Sequence, residues 1–247
     1  QVVLVIQLRS HDYRSLQAVG EGRYDKQLNA FIDEWKADGN RRLGIRPMHE
    51  FNGDWYEWGT YRGGSNSKAA FKRAYTHVSR LFRKRGANAV MQLSYNCVNP
   101  NDDQTSFKEW YPGAEHVDMV LCSAYNRAGI DSDHQKWETF EQVFGWGYKQ
   151  MAALPGRKRL GVAEMGTTSW GGHSKAQWIR DAFKALVNQY TRVEEGFWLL
   201  QNKDGSGDWN LNTRSEVAAF GQSMRKYEYA ADGVKGKGGG GGGHGTQ

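Results

Sequence analysis

The feature that most limits how this chain can fold is a regular exchange of two periods: short β-rich runs alternate with longer stretches whose apolar residues recur at helical spacing. Six runs read as strands: Val2–Leu8, Leu43–His49, Ala89–Tyr95, Val117–Ala124, Leu160–Ala163 and Gly196–Gln201. Helical candidates cover 24–38, 68–85, 138–153, 174–190 and 214–229, and the link between the third and fourth strands has room for a short helix only. Strand, crossover helix, strand is the way parallel sheets are wound. The first run, Val2-Val3-Leu4-Val5-Ile6, is apolar without alternation, as expected of a strand covered on both faces. That leaves a (β/α)₈-type barrel or a doubly wound sheet, and 247 residues suffice for one barrel domain.

A doubly wound sheet would need a site to match. No Gly-x-Gly-x-x-Gly follows a strand, and the sequence contains neither a nucleophile elbow nor a phosphate loop. The formal net charge of +6 would favour an anionic partner only if it were clustered. The one dense run, Arg80 to Arg85, interleaves its charges with Leu81 and Phe82, which is the signature of a solvated helix face, so no nucleic-acid partner is expected. No stretch approaches the roughly 20 apolar residues of a membrane span. Cys97 and Cys122 are too few for a disulfide framework and lack metal-site spacing; they can pair or remain thiols. From Gly233 the chain turns to glycine and lysine, so a barrel domain is assigned to 1–230 and a flexible tail or linker to 231–247.

Chemistry-bearing residues gather where strands end: His11 and Asp12, His49 and Glu50, Asn96, Tyr125 and Asn126, Glu164, Asn202. Parallel barrels keep their active sites at those ends. Aromatic residues make up 13% of the chain, with 10 Trp and 12 Tyr, more than a core of this size takes, so rings must also line a surface or cleft. Flat rings suit sugars, bases and protein partners alike. Glu50 sits in Arg46-Pro47-Met48-His49-Glu50-Phe51-Asn52-Gly53-Asp54-Trp55-Tyr56-Glu57-Trp58-Gly59, and Glu164 in Gly161-Val162-Ala163-Glu164-Met165-Gly166. Either alone reads as a surface ion pair. Together they meet a stricter demand: cleaving a glycosidic bond with retention needs two carboxyl groups about 5–5.5 Å apart, one protonated and one ionised. Glu50, with the richer aromatic surround, fits the proton donor; Glu164, followed by the small Gly166 and Thr167, leaves room for a sugar above a nucleophile.

The run Arg46 to Gly59, with Asn96, Tyr111-Pro112-Gly113, Val117-Asp118, Tyr125-Asn126, Glu164-Met165-Gly166 and Asp208-Trp209, resembles glycoside hydrolase family 26 over about residues 1 to 228. Arg-Pro-x-His-Glu followed by Asn-Gly and the two tryptophans is the most specific part. The resemblance implies a retaining (β/α)₈ hydrolase with Glu50 as acid/base, Glu164 as nucleophile, and His49 as a hydrogen-bonding neighbour of the proximal sugar. It implies further that Tyr125 steadies the nucleophile, that Trp55 and Trp58 form a sugar platform, and that Arg46 and Asn96 support the cleft floor. Trp58 and Trp209 remain open between packing and sugar contact, His11 between the sugar site and a cap, and Arg46 between ligand and buried ion-pair partner.

Two departures accompany the resemblance. The family places its two acids after the fourth and seventh strands, whereas here they come after the second and fifth, so the first two βα units are expected to be missing from this chain. Leu200-Gln201-Asn202 stands where mannan-cleaving relatives often carry an aromatic ring. The function expected is endo-hydrolysis of a β-linked polysaccharide by a monomer, outside the cell or in the periplasm, with no metal or organic cofactor. β-1,4-Mannan comes first, with mixed-linkage β-glucan, β-1,3-xylan or a microbial exopolysaccharide as alternatives. The rival reading is a carbohydrate-binding or scaffold domain without turnover.

Overall fold

The computed structural model describes residues 2–9, 15–203 and 207–235. β1 (Val2–Ile6), β2 (Leu43–Pro47), β3 (Ala89–Asn96), β4 (Met119–Asn126), β5 (Arg159–Thr167) and β6 (Val193–Trp198) form one six-stranded parallel sheet. Its spatial order is β1-β2-β3-β4-β5-β6, the same as the chain order. A doubly wound sheet reverses direction at a switch point, and this one never does, so the winding is that of a barrel. The chain supplies six strands of a (β/α)₈ barrel, with β1 and β6 as sheet edges. β3 and β4 are buried along nearly their whole length, as strands covered on both faces must be, whereas Val2, Leu4 and Val5 on edge strand β1 are exposed.

The helices are α1 (Ser15–Gly20), α2 (Asp25–Ala37), α3 (Lys68–Lys84), α4 (Phe140–Ala152), α5 (Lys175–Asn188) and α6 (Arg214–Lys235). The sequence reading missed the six-residue α1 and a small hairpin of β7 (Asn202–Lys203) and β8 (Gly207–Asp208), both too short to show a period. α6 runs to Lys235, beyond the boundary assigned to the tail, while 236–247 lie outside the described residues. Between β3 and β4 the connection holds three single 3₁₀ turns, the second of which buries Phe107 flat against Tyr95 at 4.0 Å.

α3 shows how local sequence sets the ends of an element. The Ser67 hydroxyl accepts the Ala70 N–H at 3.1 Å, capping the start. At the other end Gly86 takes φ 65°, and the N–H groups of Gly86 and Ala87 donate to the carbonyls of Arg83 and Phe82 at 3.0 and 3.2 Å. That is a Schellman closure, and it needs the glycine. Phe71, Tyr75, Val78 and Phe82 recur at helical spacing on the buried face, the large ones stabilising by about 1.5–3 kcal/mol each. The cations of the same helix face outward: Arg83 pairs with Asp118 at 2.9 Å, and just beyond the helix Arg85 pairs with Asp33.

Cys97, one residue past β3, is joined by a disulfide to Cys122 of β4, which resolves the choice the sequence left open. Gly147 of α4 permits the close approach of that helix: a Cβ there would lie 2.8 Å from Cys122 Sγ and 2.9 Å from Cys97 Cβ. The bridge closes a loop with a sequence separation of 25. Replacing both cysteines by serine is expected to remove roughly 3.5 kcal/mol of stability through unfolded-state entropy. Urea unfolding of the oxidised protein and the double variant measures it, and equal midpoints would show that the native packing compensates.

By internal contact the chain divides into two compact units, each described separately. The first comprises Gln1–Tyr125, Gln142–Gly166 and Arg192–Leu199 and contains nearly all of the sheet. The second comprises Asn126–Glu141, Thr167–Thr191 and Leu200–Gln247, where α5 packs on α6 through an edge-to-face contact of Phe183 with Phe220 at 5.7 Å.

Candidate active site

β2 ends at Pro47, and the backbone then enters the left-handed region at Met48 (φ 49°) and again at Glu50 (φ 52°). Side-chain-bearing residues pay about 1–3 kcal/mol each for that conformation, and it persists only where the surroundings fix it. Here the Met48 N–H donates to the Ile6 carbonyl at 3.0 Å and the Glu50 N–H to the Ser94 carbonyl at 2.7 Å. Glu50 is thereby held beside the end of β3, buried. Its Oε2 accepts the indole N–H of Trp55 at 2.8 Å.

The Trp55 ring lies over Gly53, where a Cβ would come within 2.5 Å of it. Gly53→Ala is therefore expected to push Trp55 off Glu50 and lower turnover about tenfold, the upper end of the worth of one hydrogen bond. Steady-state kinetics on a variant with an unchanged circular-dichroism spectrum provides the check; unaltered kcat would mean that Glu50 does not depend on Trp55. Behind Glu50, His49 Nε2 shares a hydrogen bond with the Tyr56 hydroxyl at 2.9 Å. Tyr56 stacks on Trp58 at 4.7 Å, and the Trp58 indole donates to the His49 carbonyl at 2.7 Å. The two rings hold the histidine in one orientation.

Glu164 lies within β5, three residues before the end of that strand, and not beyond the strand as the sequence reading placed it. The reason is an irregularity in the pairing with β6: Val162 faces Gly196 and Met165 faces Trp198, so β5 carries one extra residue between them. Such a bulge redirects side chains. The Glu164 carboxylate accepts the Tyr125 hydroxyl at 2.6 Å. Burial, and next the charge of Glu164, push the Tyr125 phenol far above its ordinary value, so it stays protonated and donates.

Arg46 of β2 is buried, with Nε donating to Gln92 Oε1 at 3.0 Å and Nη1 to the Ala163 carbonyl at 2.9 Å. Its guanidinium carbon stands 5.1 Å over the Phe197 ring. Burial pulls its pKa below the ordinary value, opposed first by the charge of Glu164, then Glu195, then Glu50. Tyr125 likewise feels both Glu164 and Glu50. Two carboxylates thus act on one guanidinium and one phenol, an arrangement suited to acid/base and nucleophilic chemistry at a sugar carbon. Among the described residues no cluster of His, Cys, Asp or Glu could hold a metal ion.

The model for "Glycosyl hydrolase family 26" matches residues 9–218. The chain belongs to that family. Relatives of this family 26 chain include endoglucanase H of Acetivibrio thermocellus, 31% identical over 219 residues, covering 88% of this chain and 23% of that protein. A mannan endo-1,4-beta-mannosidase of Bacillus subtilis is 28% identical over 159 residues, covering 60% of this chain and 38% of its own length. The structure of a family 26 β-mannanase from Bacteroides ovatus superposes with a TM-score of 0.62 at 14% identity, over 90% of this chain and 64% of that one. The family 26 chain described here therefore spans well under half the length of these two curated relatives.

Several expectations for a family 26 site change on the structure. Trp58 is fully buried between Tyr56 and His49, with no accessible face, so it is packing beneath the site and not a sugar platform. Trp55, 39% exposed, keeps an accessible ring. Trp209 is buried within the second unit, which again favours packing. The Asn96 side chain accepts the Val98 N–H at 3.1 Å and so closes the turn after β3, while both backbone groups of Asn96 are held by Asn52 at 2.7 and 3.0 Å. Arg46 is hydrogen-bonded to neutral groups and not to an ion-pair partner within the sheet interior. His11 lies outside the described residues. The sequence reading also missed Gln92 and Glu195. Gln92 donates to Glu195 at 3.1 Å while accepting from Arg46, which links β2, β3 and β6 beneath Glu164. Their strand positions carry no local signal that they point inward.

Proposed function

We propose that this chain carries the catalytic centre of a retaining endo-β-glycan hydrolase, with β-1,4-mannan as the first substrate and an extracellular or periplasmic setting. The observation that supports it most directly is that the two acids are each held by an aromatic donor, Glu164 by the Tyr125 hydroxyl at 2.6 Å and the buried Glu50 by the Trp55 indole at 2.8 Å, while both act electrostatically on Arg46 and Tyr125. In this reading Glu50 gives its proton to the leaving glycosidic oxygen while Glu164 attacks the anomeric carbon and forms a glycosyl ester. Glu50, now ionised, takes a proton from water, and that water breaks the ester with net retention. Tyr125 holds the Glu164 carboxylate in line, and Trp55 orients Glu50.

The mannosidase named above and the family's mannanase structures support mannan; the 31% identity to endoglucanase H supports a β-glucan as the second reading. The Cys97–Cys122 disulfide supports an oxidising compartment. Reducing-sugar release from β-mannan, glucomannan, mixed-linkage β-glucan and β-1,3-xylan, with the product anomer followed by NMR in the first minutes, tests the whole reading. Initial product with inverted configuration would remove the double displacement. Binding without release from any polymer would favour a carbohydrate-binding domain.

A further inference from the structure

The second unit holds a groove of about 600 Å³ that shares no residue with the carboxylate site and follows α5 from Gly172 to Gln189. At 1.5 Å of rise per residue the lining helical residues from Gln177 to Asn188 extend over about 17 Å, the shape of a trough for an elongated ligand and not a pit for a small one. Phe140 and Trp178 lie buried beneath it, meeting edge to face at 5.7 Å, and pack its base without presenting an open ring face. The Trp178 indole N–H donates to the Glu138 carbonyl at 2.9 Å within that packing, so the ring open to a ligand has to come from the rim. At one end the half-buried Trp137 lies parallel to His173 at 4.7 Å, an aromatic plate at the edge of the trough.

The wall is a stripe of exposed α5 residues at Gln177, Asp181, Lys184 and Asn188, which fall on one helix face. A solvated helix would show such a stripe too, but without a partly exposed aromatic pair such as Trp137 on His173 beside it. The Gln177 amide donates to the Asp181 carboxylate at 2.9 Å, which sets two planar polar groups side by side. Planar amides and carboxylates bind pairs of neighbouring hydroxyls, and flat rings take the apolar face of a pyranose. The charges in the trough, Glu141 and Asp181 against Lys184, are mixed, which suits a neutral ligand better than a polyanion.

We propose that this groove is a second, non-cleaving binding site for a neutral β-glycan chain. The inference rests on the proposed function for the class of ligand, since a hydrolase that also holds the polymer elsewhere raises the local concentration of bonds to be cut. Native gel electrophoresis with glucomannan or mixed-linkage β-glucan cast in the gel, and an anionic polygalacturonan gel as control, tests it on the whole chain. Trp137→Ala, and separately the double variant Gln177→Ala/Asp181→Ala on the solvent face of α5, should weaken retardation by the neutral polymer about tenfold. Both should raise KM for polymer and leave hydrolysis of a short soluble oligosaccharide unchanged.

The double variant touches no buried side chain, so it decides the matter if Trp137→Ala disturbs its loop. Parent-like retardation of both variants, stronger retardation in the anionic gel, or no retardation of the parent in any neutral glycan would overturn the groove. If the parent hydrolyses no glycan yet its retardation still depends on Trp137, the proposed function fails and the groove stands. If hydrolysis is found and neither variant changes polymer KM or retardation, the reverse holds.

Discussion

Glu164→Ala is expected to lower kcat on a β-glycan polymer by a factor on the order of 10⁴ or more while leaving the chain folded and able to bind. The size of the loss reflects what remains. Without the carboxylate, the proposed glycosyl ester cannot form at this position, and the Tyr125 hydroxyl is left with no carboxylate to donate to. The space vacated is about that of a small anion, so azide should restore part of the activity and yield a glycosyl azide whose configuration is opposite to that of the substrate bond. Initial rates with and without azide, and NMR of the product, measure this. Activity within tenfold of the parent would remove Glu164 from the role of nucleophile.

How much of this centre can be read from the sequence depends on how local the determinants are. The parallel winding is legible because apolar runs such as Val2 to Ile6 and the helical period of α3 are local signals, and the structure keeps nearly the same limits for them. Glu50 is legible as the residue that follows the strand-like run Leu43–His49, although β2 itself ends two residues earlier than that run, at Pro47. Glu164 looks like a strand end because Gly166 and two threonines come after Ala163, yet β5 continues through Thr167. Only the pairing with β6 creates the extra residue, and pairing is a tertiary fact. The sixth strand begins three residues earlier than its apolar pattern indicates, because Glu194 and Glu195 break that pattern while still lying in the sheet.

The two tryptophans of the Trp55 to Trp58 run show the same limit at the level of single side chains. Their residue type is identical and their spacing is three, but one indole donates to Glu50 and keeps an exposed face while the other is enclosed by His49 and Tyr56. What separates them is the path of a loop that folds back at Gly53 and Gly59, where a Cβ on Gly59 would come within 2.4 Å of the Gly53 carbonyl oxygen. The glycines are visible in the sequence; which ring they bring to the carboxylate is not. Gln92 and Glu195 are harder still. Each is a polar residue in a strand, and their connection to Arg46 exists only because three strands bring them to one interior.

The second large effect expected is at Glu50. Glu50→Gln keeps the hydrogen bond from Trp55, because the side-chain carbonyl still accepts the indole N–H, and so isolates the loss of the proton from the loss of position. On polymer, whose leaving group is a poor sugar alkoxide, kcat should fall by about 10²–10⁴-fold, the range for a positioned general acid. On an aryl β-glycoside with an acidic phenol as leaving group, the first step needs little help, so the ester should form at nearly the parent rate and then accumulate, since no base remains to activate water. A burst of phenol and then a slow steady state is the result to look for, together with loss of the high-pH limb of the activity profile that a protonated acid imposes. Equal losses on both substrates, with no burst, would instead assign Glu50 to holding the substrate and would require another donor for the leaving oxygen. The left-handed backbone at Glu50 argues for the first outcome, because a residue that merely packed could relax to an unstrained turn, whereas one that must present its carboxyl beside β3 cannot.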